Sequence, residues 1–140
     1  MAFIPAKETK NEHPLEFYTA DAGVYQAGQI VQLSGGAIKA LSAAMTTTPQ
    51  FICKSSIEIK SPPVDINGGK VLVMPFDTDA DEEYYAPLAA AAAQNYAVGA
   101  LLSISADGLS IAATSGKVLL LEPVKSGAPA GTYVCVKFAR

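Results

Sequence analysis

A chain of 140 residues, half of them hydrophobic, is long enough for one compact domain and too apolar to be disordered as a whole. Only 16% of its residues are charged, against about 25% in a typical folded domain, so we expect a partner to cover part of its apolar surface. The net charge of −3 argues against a nucleic-acid-binding protein, because nucleic acid requires a basic surface.

Residues 1–14 are predicted to form an extended N-terminal arm. Their sequence, MAFIPAKETKNEHP, is polar and contains two prolines, so it has no core of its own and we expect it to be disordered in the free protein. Phe3 and Ile4 are apolar without local packing partners, which predicts that another protein covers them. Charged residues interrupt the stretch, so it resembles no export signal and predicts a protein made in the cytoplasm.

The sequence after the arm is typical of short antiparallel strands. GQIVQL, from Gly28, is rich in β-forming residues, and SGGAIKAL, from Ser34, places Gly-Gly where a tight hairpin turn needs positive φ. GKVLVMPF, from Gly69 to Phe76, has the composition of a further strand. These runs predict a first β unit over residues 15–76.

An acidic run opens the connector that we assign to residues 77–95. DTDADEEYYAPL begins like a calcium-binding loop, but it carries Glu82 where the loop needs glycine and Leu88 where it needs a bidentate glutamate. A looser cation site formed by three aspartates is a weaker alternative to a solvated acidic loop; these are Asp77, Asp79 and Asp81.

The rest of the connector is rich in alanine. Pro87 to Asn95 contains five alanines and is the stretch that could form a short helix, so we expect at most one helix. The longer weakly polar run that includes it, PLAAAAAQNYAVGALLSISA, contains Gln and Asn, and we therefore predict no membrane span.

The last part of the chain, residues 96–140, repeats the first unit. The aligned pairs are Tyr25 with Tyr96, Gly28 with Gly99, Leu33 with Ile104, Ser34 with Ser105 and, after a one-residue slip, Gly36 with Gly108 and Ala40 with Ala112. GKVLVMPF is echoed by GTYVCVKF, and EFYTA by EYYAP. Blocks that recur in one order indicate two related units, about 15–76 and 83–138. We expect them to pack together as one body, because about 60 residues bury little surface alone.

The fold class that follows is all-β, a small, mainly antiparallel barrel or sandwich. Cys53 and Cys135 lie in apolar runs and form no C-x-x-C pair. With a single histidine the chain has too few ligands for a zinc site. We therefore expect two reduced thiols that pack as small apolar side chains.

No catalytic constellation is present in the sequence. His13 lies in the polar arm beside Pro14, without a Ser or Cys nucleophile motif around it. Acid–base catalysis needs paired groups in different environments, whereas the acids here cluster in one run. SGGAIK lacks the spacing and the Lys-Ser/Thr ending of a phosphate-binding loop. We expect no enzymatic activity, no cofactor and no metal.

Three blocks carry a family resemblance: MAFIPAKETKNEHPLEFY, GVYQAGQIVQL, and YAVGALLSISADGLSIAATSGKVLLLEPV with AGTYVCVKF. They resemble small proteins encoded beside the major capsid gene in tailed bacteriophages. Val98 to Thr114 matches the pattern V-G-x₄-(L/I)-x₂-D-G-L-x-(I/V)-x-(A/T)-T of those proteins, and Gly116 and Phe138 complete it. The alanine run 89–93 and the acidic loop 77–83 depart from the pattern.

The resemblance implies a capsid decoration, or cement, protein on the outer surface of the virion. Such a protein binds the major capsid protein and stabilises contacts between its subunits, as a homotrimer or another homo-oligomer. We expect the arm to make the contact, through Phe3, Ile4, Pro5, His13 and Leu15. The alternative is a virion-displayed β module that binds carbohydrate or a host surface, which a cluster of exposed aromatic residues would favour. The chain has no Trp.

Overall fold

The protein is all-β throughout the part of the chain that the structure describes. In this computed structural model the described residues are 2–5, 15–47, 49–62, 69–75 and 83–139. Every strand ladder among them is antiparallel. The predicted all-β, antiparallel class is confirmed. The cation-site aspartates of the acidic run and His13 lie outside the described residues.

Within the described residues, the first unit contains seven strands. They are β2 (Glu16–Thr19), β3 (Gly23–Tyr25), β4 (Ile30–Ser34), β5 (Ala37–Ala40), β6 (Phe51–Cys53), β7 (Ile57–Ile59) and β8 (Lys70–Pro75). Five of them form one sheet in the order β2-β8-β6-β4-β5, and β3 pairs with β7 separately.

The second unit contains six strands, one of which comes from the N-terminal stretch. They are β1 (Ile4–Pro5), β9 (Glu83–Pro87), β10 (Leu101–Ile104), β11 (Ile111–Ala112), β12 (Val118–Leu120) and β13 (Tyr133–Phe138). They form one sheet in the order β1-β9-β13-β12-β10-β11. Since β9 is an inner strand of this sheet, the second unit begins at residue 83 and takes in part of the expected connector.

The two units share one topology. Replacing β2, β8, β6, β4 and β5 by β9, β13, β12, β10 and β11 converts the first strand order into the second, apart from the additional edge strand β1. In the first sheet a parallel bridge joins Ala20, which follows β2, to Ile38 on β5. In the second sheet the equivalent bridge joins Leu88, which follows β9, to Ile111 on β11. Within the described residues, neither sheet closes into a barrel.

The same backbone hydrogen bonds recur in both units. Gly28 donates to the Cys53 carbonyl at 2.8 Å, and Gly99 donates to that of Leu120 at 2.9 Å. Cys53 in turn donates to Gln29, and Leu120 to Ala100, both at 2.9 Å. These pairs place Gly28 opposite Gly99, as the sequence alignment does.

The strand registers correct the alignment elsewhere. Four residues separate the paired Leu33 and Ile38, but six separate Ile104 and Ile111, so the slip is two residues rather than one. The predicted match of Ala40 with Ala112 is therefore wrong by one position. EFYTA and EYYAP are also offset by one, because the bridges at Ala20 and Leu88 make Phe17 equivalent to Tyr85. The second turn is therefore two residues longer than the first, which residue identities alone did not show.

Each unit has an apolar interior, but only the first unit's interior is separate. The first cluster of buried side chains, which includes Val31, Ile38 and Val73, comes from the first unit alone. The second cluster combines the interior of the second unit with Ile30 and Ile52, which point outward from the first sheet. The open end of the second unit therefore rests on the outer face of the first.

Backbone hydrogen bonds join the units at this contact. Ile30 donates to the Gly108 carbonyl at 2.8 Å, and the Gln29 side-chain amide donates to that of Asp107 at 3.2 Å. Met45 and Ile104 exchange two bonds, at 2.9 and 3.0 Å. Gly108 has φ +73°, and a Cβ atom there would lie 2.2 Å from the Ile30 oxygen. Glycine is therefore required where the hairpin turn meets the first unit.

Residues 2–5 depart from the prediction of a free arm. Phe3 is buried in the protein's own core, where its ring lies 6.4 Å from that of Tyr84 and 5.6 Å from that of Phe138. Its amide donates to the Gly28 carbonyl, and Ile4 pairs with Tyr85. The expectation that Phe3 needs another protein to cover it is wrong, because the second unit leaves an opening that this ring fills.

The alanine-rich stretch after Pro87 is not helical. Its amides bond to other segments instead of to their own preceding turn: Leu88 donates to Thr132, Ala89 to Ile111 and Ala92 to Ala128. Intrinsic helix propensity is a weak preference that such tertiary bonds override.

Candidate interaction surface

The described residues contain no metal-binding cluster. No three His, Cys, Asp or Glu side chains among them are grouped so as to hold a metal ion. In the same part of the chain, no helix has the length and hydropathy that crossing a membrane requires. A candidate site must therefore be sought among surfaces.

The two cysteines are free thiols in different environments. Cys53 is fully buried in the first unit, and burial raises the pKa of its thiol to about 12, because an apolar interior disfavours the thiolate. Cys135 is half-buried on the outward side of β13, and its amide donates to the Glu122 carboxylate at 2.7 Å. Cys53 thus packs as the small apolar residue that we expected, whereas Cys135 is only partly covered.

Large apolar side chains remain exposed on several strands. The nine in the described residues are Ile4, Leu15, Phe17, Val24, Leu33, Tyr85, Val98, Leu101 and Tyr133. Single exposed apolar side chains are ordinary on protein surfaces, whereas neighbouring ones indicate a contact surface. The strand pairing shows which of these nine side chains are neighbours.

One group lies on β1, β9 and β13. Ile4 is opposite Tyr85, and Tyr85 is opposite Cys135. Tyr133 precedes Cys135 by two residues and so points to the same side of the sheet. Tyr85 and Tyr133 are thus diagonal neighbours, 43% and 38% exposed. We call Ile4, Tyr85 and Tyr133 the tyrosine patch.

A second group lies on the same face of the sheet, on β10 and β12. Leu101 is paired with Leu119, and Leu119 is paired with Lys137 on β13. Lys137 is two residues from Cys135 and shares its side of the sheet. Leu101 is 42% exposed and Leu119 is half-buried. We call Leu101 and Leu119 the leucine patch.

The leucine patch corresponds to a covered surface in the first unit. Ile30 pairs with Ile52 as Leu101 pairs with Leu119. Ile30 and Ile52 are 0% and 1% exposed, because the second unit covers them. The repeat therefore presents the same face twice, once covered within the chain and once open.

The residues predicted for the contact arm are not brought together as one segment. Ile4 joins the tyrosine patch, Pro5 is exposed beside it, and Leu15 is exposed next to β2. Phe3 is in the core, and His13 lies outside the described residues.

Sequence reasoning missed Tyr85, Tyr133 and Leu101. The alternation of Tyr133, Cys135 and Lys137 with valines in TYVCVKF is a signal that could have placed Tyr133 on the outward face of its strand.

No protein-family model matches the chain, and no curated protein is significantly similar to it.

Proposed function

We propose that the protein is a structural component of a bacteriophage virion that binds the outer surface of the capsid and cements contacts between major capsid protein subunits. It is made in the host bacterial cytoplasm and acts as a homotrimer or another homo-oligomer on the shell. It needs no cofactor and catalyses no reaction.

The observation that supports this proposal most is the tyrosine patch. Its three side chains are exposed on strands that are fixed in the sheet, so a partner can bind them with little loss of backbone entropy. Tyrosine is enriched in protein–protein contacts because it offers a large apolar ring and a polar hydroxyl. A low content of charged residues and the resemblance of the Val98–Thr114 block to capsid decoration proteins favour the same function.

The proposed contact combines this patch with Pro5 and Leu15, two further exposed residues in the N-terminal part of the chain. Ile4 pairs with Tyr85 and Pro5 with Tyr84, so Pro5 lies at the edge of the patch. A single copy gains modest binding energy from such a small surface. Many copies on one shell act together, and because they bind only the assembled state they shift the equilibrium towards it.

Binding to purified shells tests the proposal. Shells of the phage that encodes the chain, prepared without this protein, are mixed with the wild type, Tyr85→Ser or Val24→Ser and then sedimented. Val24 is a matched control, because it is exposed on β3, away from the second sheet. We expect wild type and Val24→Ser to sediment with the shells, and Tyr85→Ser to bind more weakly by about 1–2 kcal/mol per site. Equal binding of the two variants contradicts the assignment of the tyrosine patch, and failure of the wild type to bind contradicts the function.

The exposed tyrosines also favour the second candidate function, a virion-displayed module that binds carbohydrate or a host surface. Two neighbouring aromatic side chains on a sheet are a suitable platform for the apolar face of a sugar ring. Binding of the wild type, and not of Tyr85→Ser, to a glycan array in the absence of shells would support this function over cementing.

A further inference from the structure

We propose that a second copy of this chain docks on the leucine patch with the open end of its first unit, so that the contact between the two units is repeated from one molecule to the next. The inference rests on the internal repeat and does not depend on the capsid function.

The contact within the chain provides the template. The outer face of the first sheet, at Ile30 and Ile52, is covered by the open end of the second unit. Ile104 and the turn that contains Gly108 lie at that open end, and Gly108 meets the backbone of Ile30 directly. One partner of this contact is thus a sheet face, and the other is a hairpin end.

The first surface of this contact is open in the second unit. Leu101 and Leu119 occupy the positions of Ile30 and Ile52, and they are exposed and half-buried where their counterparts are fully buried. The space around Gly99 is also open. A Cβ atom at Gly99 would have no neighbour within 4 Å, whereas a Cβ atom at the equivalent Gly28 would lie 2.3 Å from the Phe3 oxygen.

The second surface is open in the first unit. Leu33 occupies the position of Ile104; it is 38% exposed, whereas Ile104 is 0% exposed. Gly36 lies in the hairpin turn that corresponds to that of Gly108, and a Cβ atom there would have no neighbour within 4 Å. We call Leu33 and the turn of Gly36 the first-unit rim. Every molecule therefore carries both halves of the contact unused.

The charges at equivalent positions are complementary. In the contact within the chain, Met74 on the face and Tyr84 at the open end share one apolar cluster. Lys137 occupies the position of Met74, and Glu16 that of Tyr84. The contact between molecules therefore brings Lys137 on the sheet face of one copy towards Glu16 at the open end of the first unit of the next copy. In the contact within the chain, the equivalent positions hold two uncharged side chains.

Two differences make the contact between molecules the weaker one. Gln29, which bonds across the units, is replaced by Ala100, and the loop that provides Met45 is longer than its counterpart between β11 and β12. We therefore expect an association that depends on concentration. Because a face meets a rim, the contact is heterologous and builds rings or open chains of molecules. Phe17 stays exposed beside the contact within the chain, so its counterpart Tyr85 stays available in the assembly.

Mixing two variants tests this arrangement without shells. Leu101→Lys alters the face, Leu33→Lys alters the rim, and Val24→Lys is the exposed control. Analytical ultracentrifugation from micromolar to millimolar concentration measures the association. We expect wild type and Val24→Lys to associate, and Leu101→Lys and Leu33→Lys each to associate at least about tenfold more weakly. An equimolar mixture of the two patch variants should form a complex of one copy of each, because one intact face and one intact rim remain.

Other outcomes overturn the proposal. A wild type that stays monomeric at millimolar concentration contradicts it. An association that only Leu101→Lys weakens, with no complex in the mixture, indicates two leucine patches in contact instead. If the wild type is monomeric and Leu101→Lys binds shells more weakly than the wild type does, the leucine patch binds the capsid instead.

Disulfide trapping gives an independent reading if a lysine variant fails to fold. In a Cys135→Ser background, Leu33→Cys and Leu101→Cys are oxidised separately and as a mixture. We expect the mixture to yield a product with one copy of each variant as its main cross-linked species. Products formed equally well by each variant alone contradict the face-to-rim contact.

Discussion

The amide of Ile30 donates to the carbonyl oxygen of Gly108 at 2.8 Å, and this bond fixes the hairpin turn of the second unit against the sheet of the first. Gly108 has φ +73°, and a Cβ atom there would collide with the Ile30 oxygen. We predict that Gly108→Ala lowers the free energy of unfolding by at least about 2 kcal/mol, because steric overlap adds to backbone strain. Gly127→Ala is the matched control, since Gly127 has φ +89° and open space around it. Its cost should be the backbone strain alone, about 1–2 kcal/mol. Urea denaturation measures both, and equal losses would show that the close approach is unimportant.

Phe3 should contribute to stability as a core residue. We predict that Phe3→Ala costs about 3–5 kcal/mol, because it leaves a cavity beside Tyr84 and Phe138. The neighbouring Ile4 is about half-exposed, so Ile4→Ala should cost less than about 1 kcal/mol. Thermal unfolding of the two variants decides between a packed strand and a dispensable arm. Similar melting temperatures for both variants would restore the free-arm interpretation.

Ser103 is a buried residue whose hydroxyl shares a hydrogen bond with the hydroxyl of Thr114. We predict that Thr114→Val lowers the free energy of unfolding by about 1–3 kcal/mol, because it leaves the Ser103 hydroxyl without that bond. Adding Ser103→Ala should recover part of the loss, since the polar group itself is then removed. A double-mutant cycle in urea measures the coupling, and strictly additive losses would show that the two hydroxyls do not stabilise each other.

Cys53 should resist thiol reagents over a wide pH range. Its pKa is raised to about 12 by burial, whereas the unfolded thiol has a pKa of about 8.5. In the Cys135→Ser variant, we predict negligible labelling of the folded protein at pH 8 and complete labelling in urea. The sign of the linkage follows: burial of the neutral thiol stabilises the fold fully below the unfolded pKa, and the contribution is lost as the pH rises from there towards 12. Rapid labelling of the folded variant would contradict the burial of this side chain.

The repeat explains how much of this structure the sequence could predict. Turn residues such as Gly35-Gly36 and the β-forming residues of GQIVQL act through local backbone geometry, so they indicate strands and hairpins correctly. The placement of Phe3 depends on an opening in a sheet more than 80 residues away in sequence, and no local pattern records it. Likewise, Leu101 and Ile30 look alike in sequence and differ only in what lies over them. Local chemistry was predictable, and the partner of each apolar face was not.

The continuity of the second core with the outer face of the first sheet sets an order of events during synthesis. Domains generally fold as they emerge from the ribosome, and the first unit has a separate interior that can form at that stage. The second interior is incomplete until Ile30 and Ile52 already stand in a formed sheet. Hydrogen exchange of ribosome-bound chains should therefore show protection at Val31 before protection at Val136. Residues 2–5 leave the ribosome before the other described residues. Phe3 can nevertheless pack only after β9 and β13 have been synthesised and paired. Among the described residues, the stretch that is synthesised first is thus the last to reach its native position.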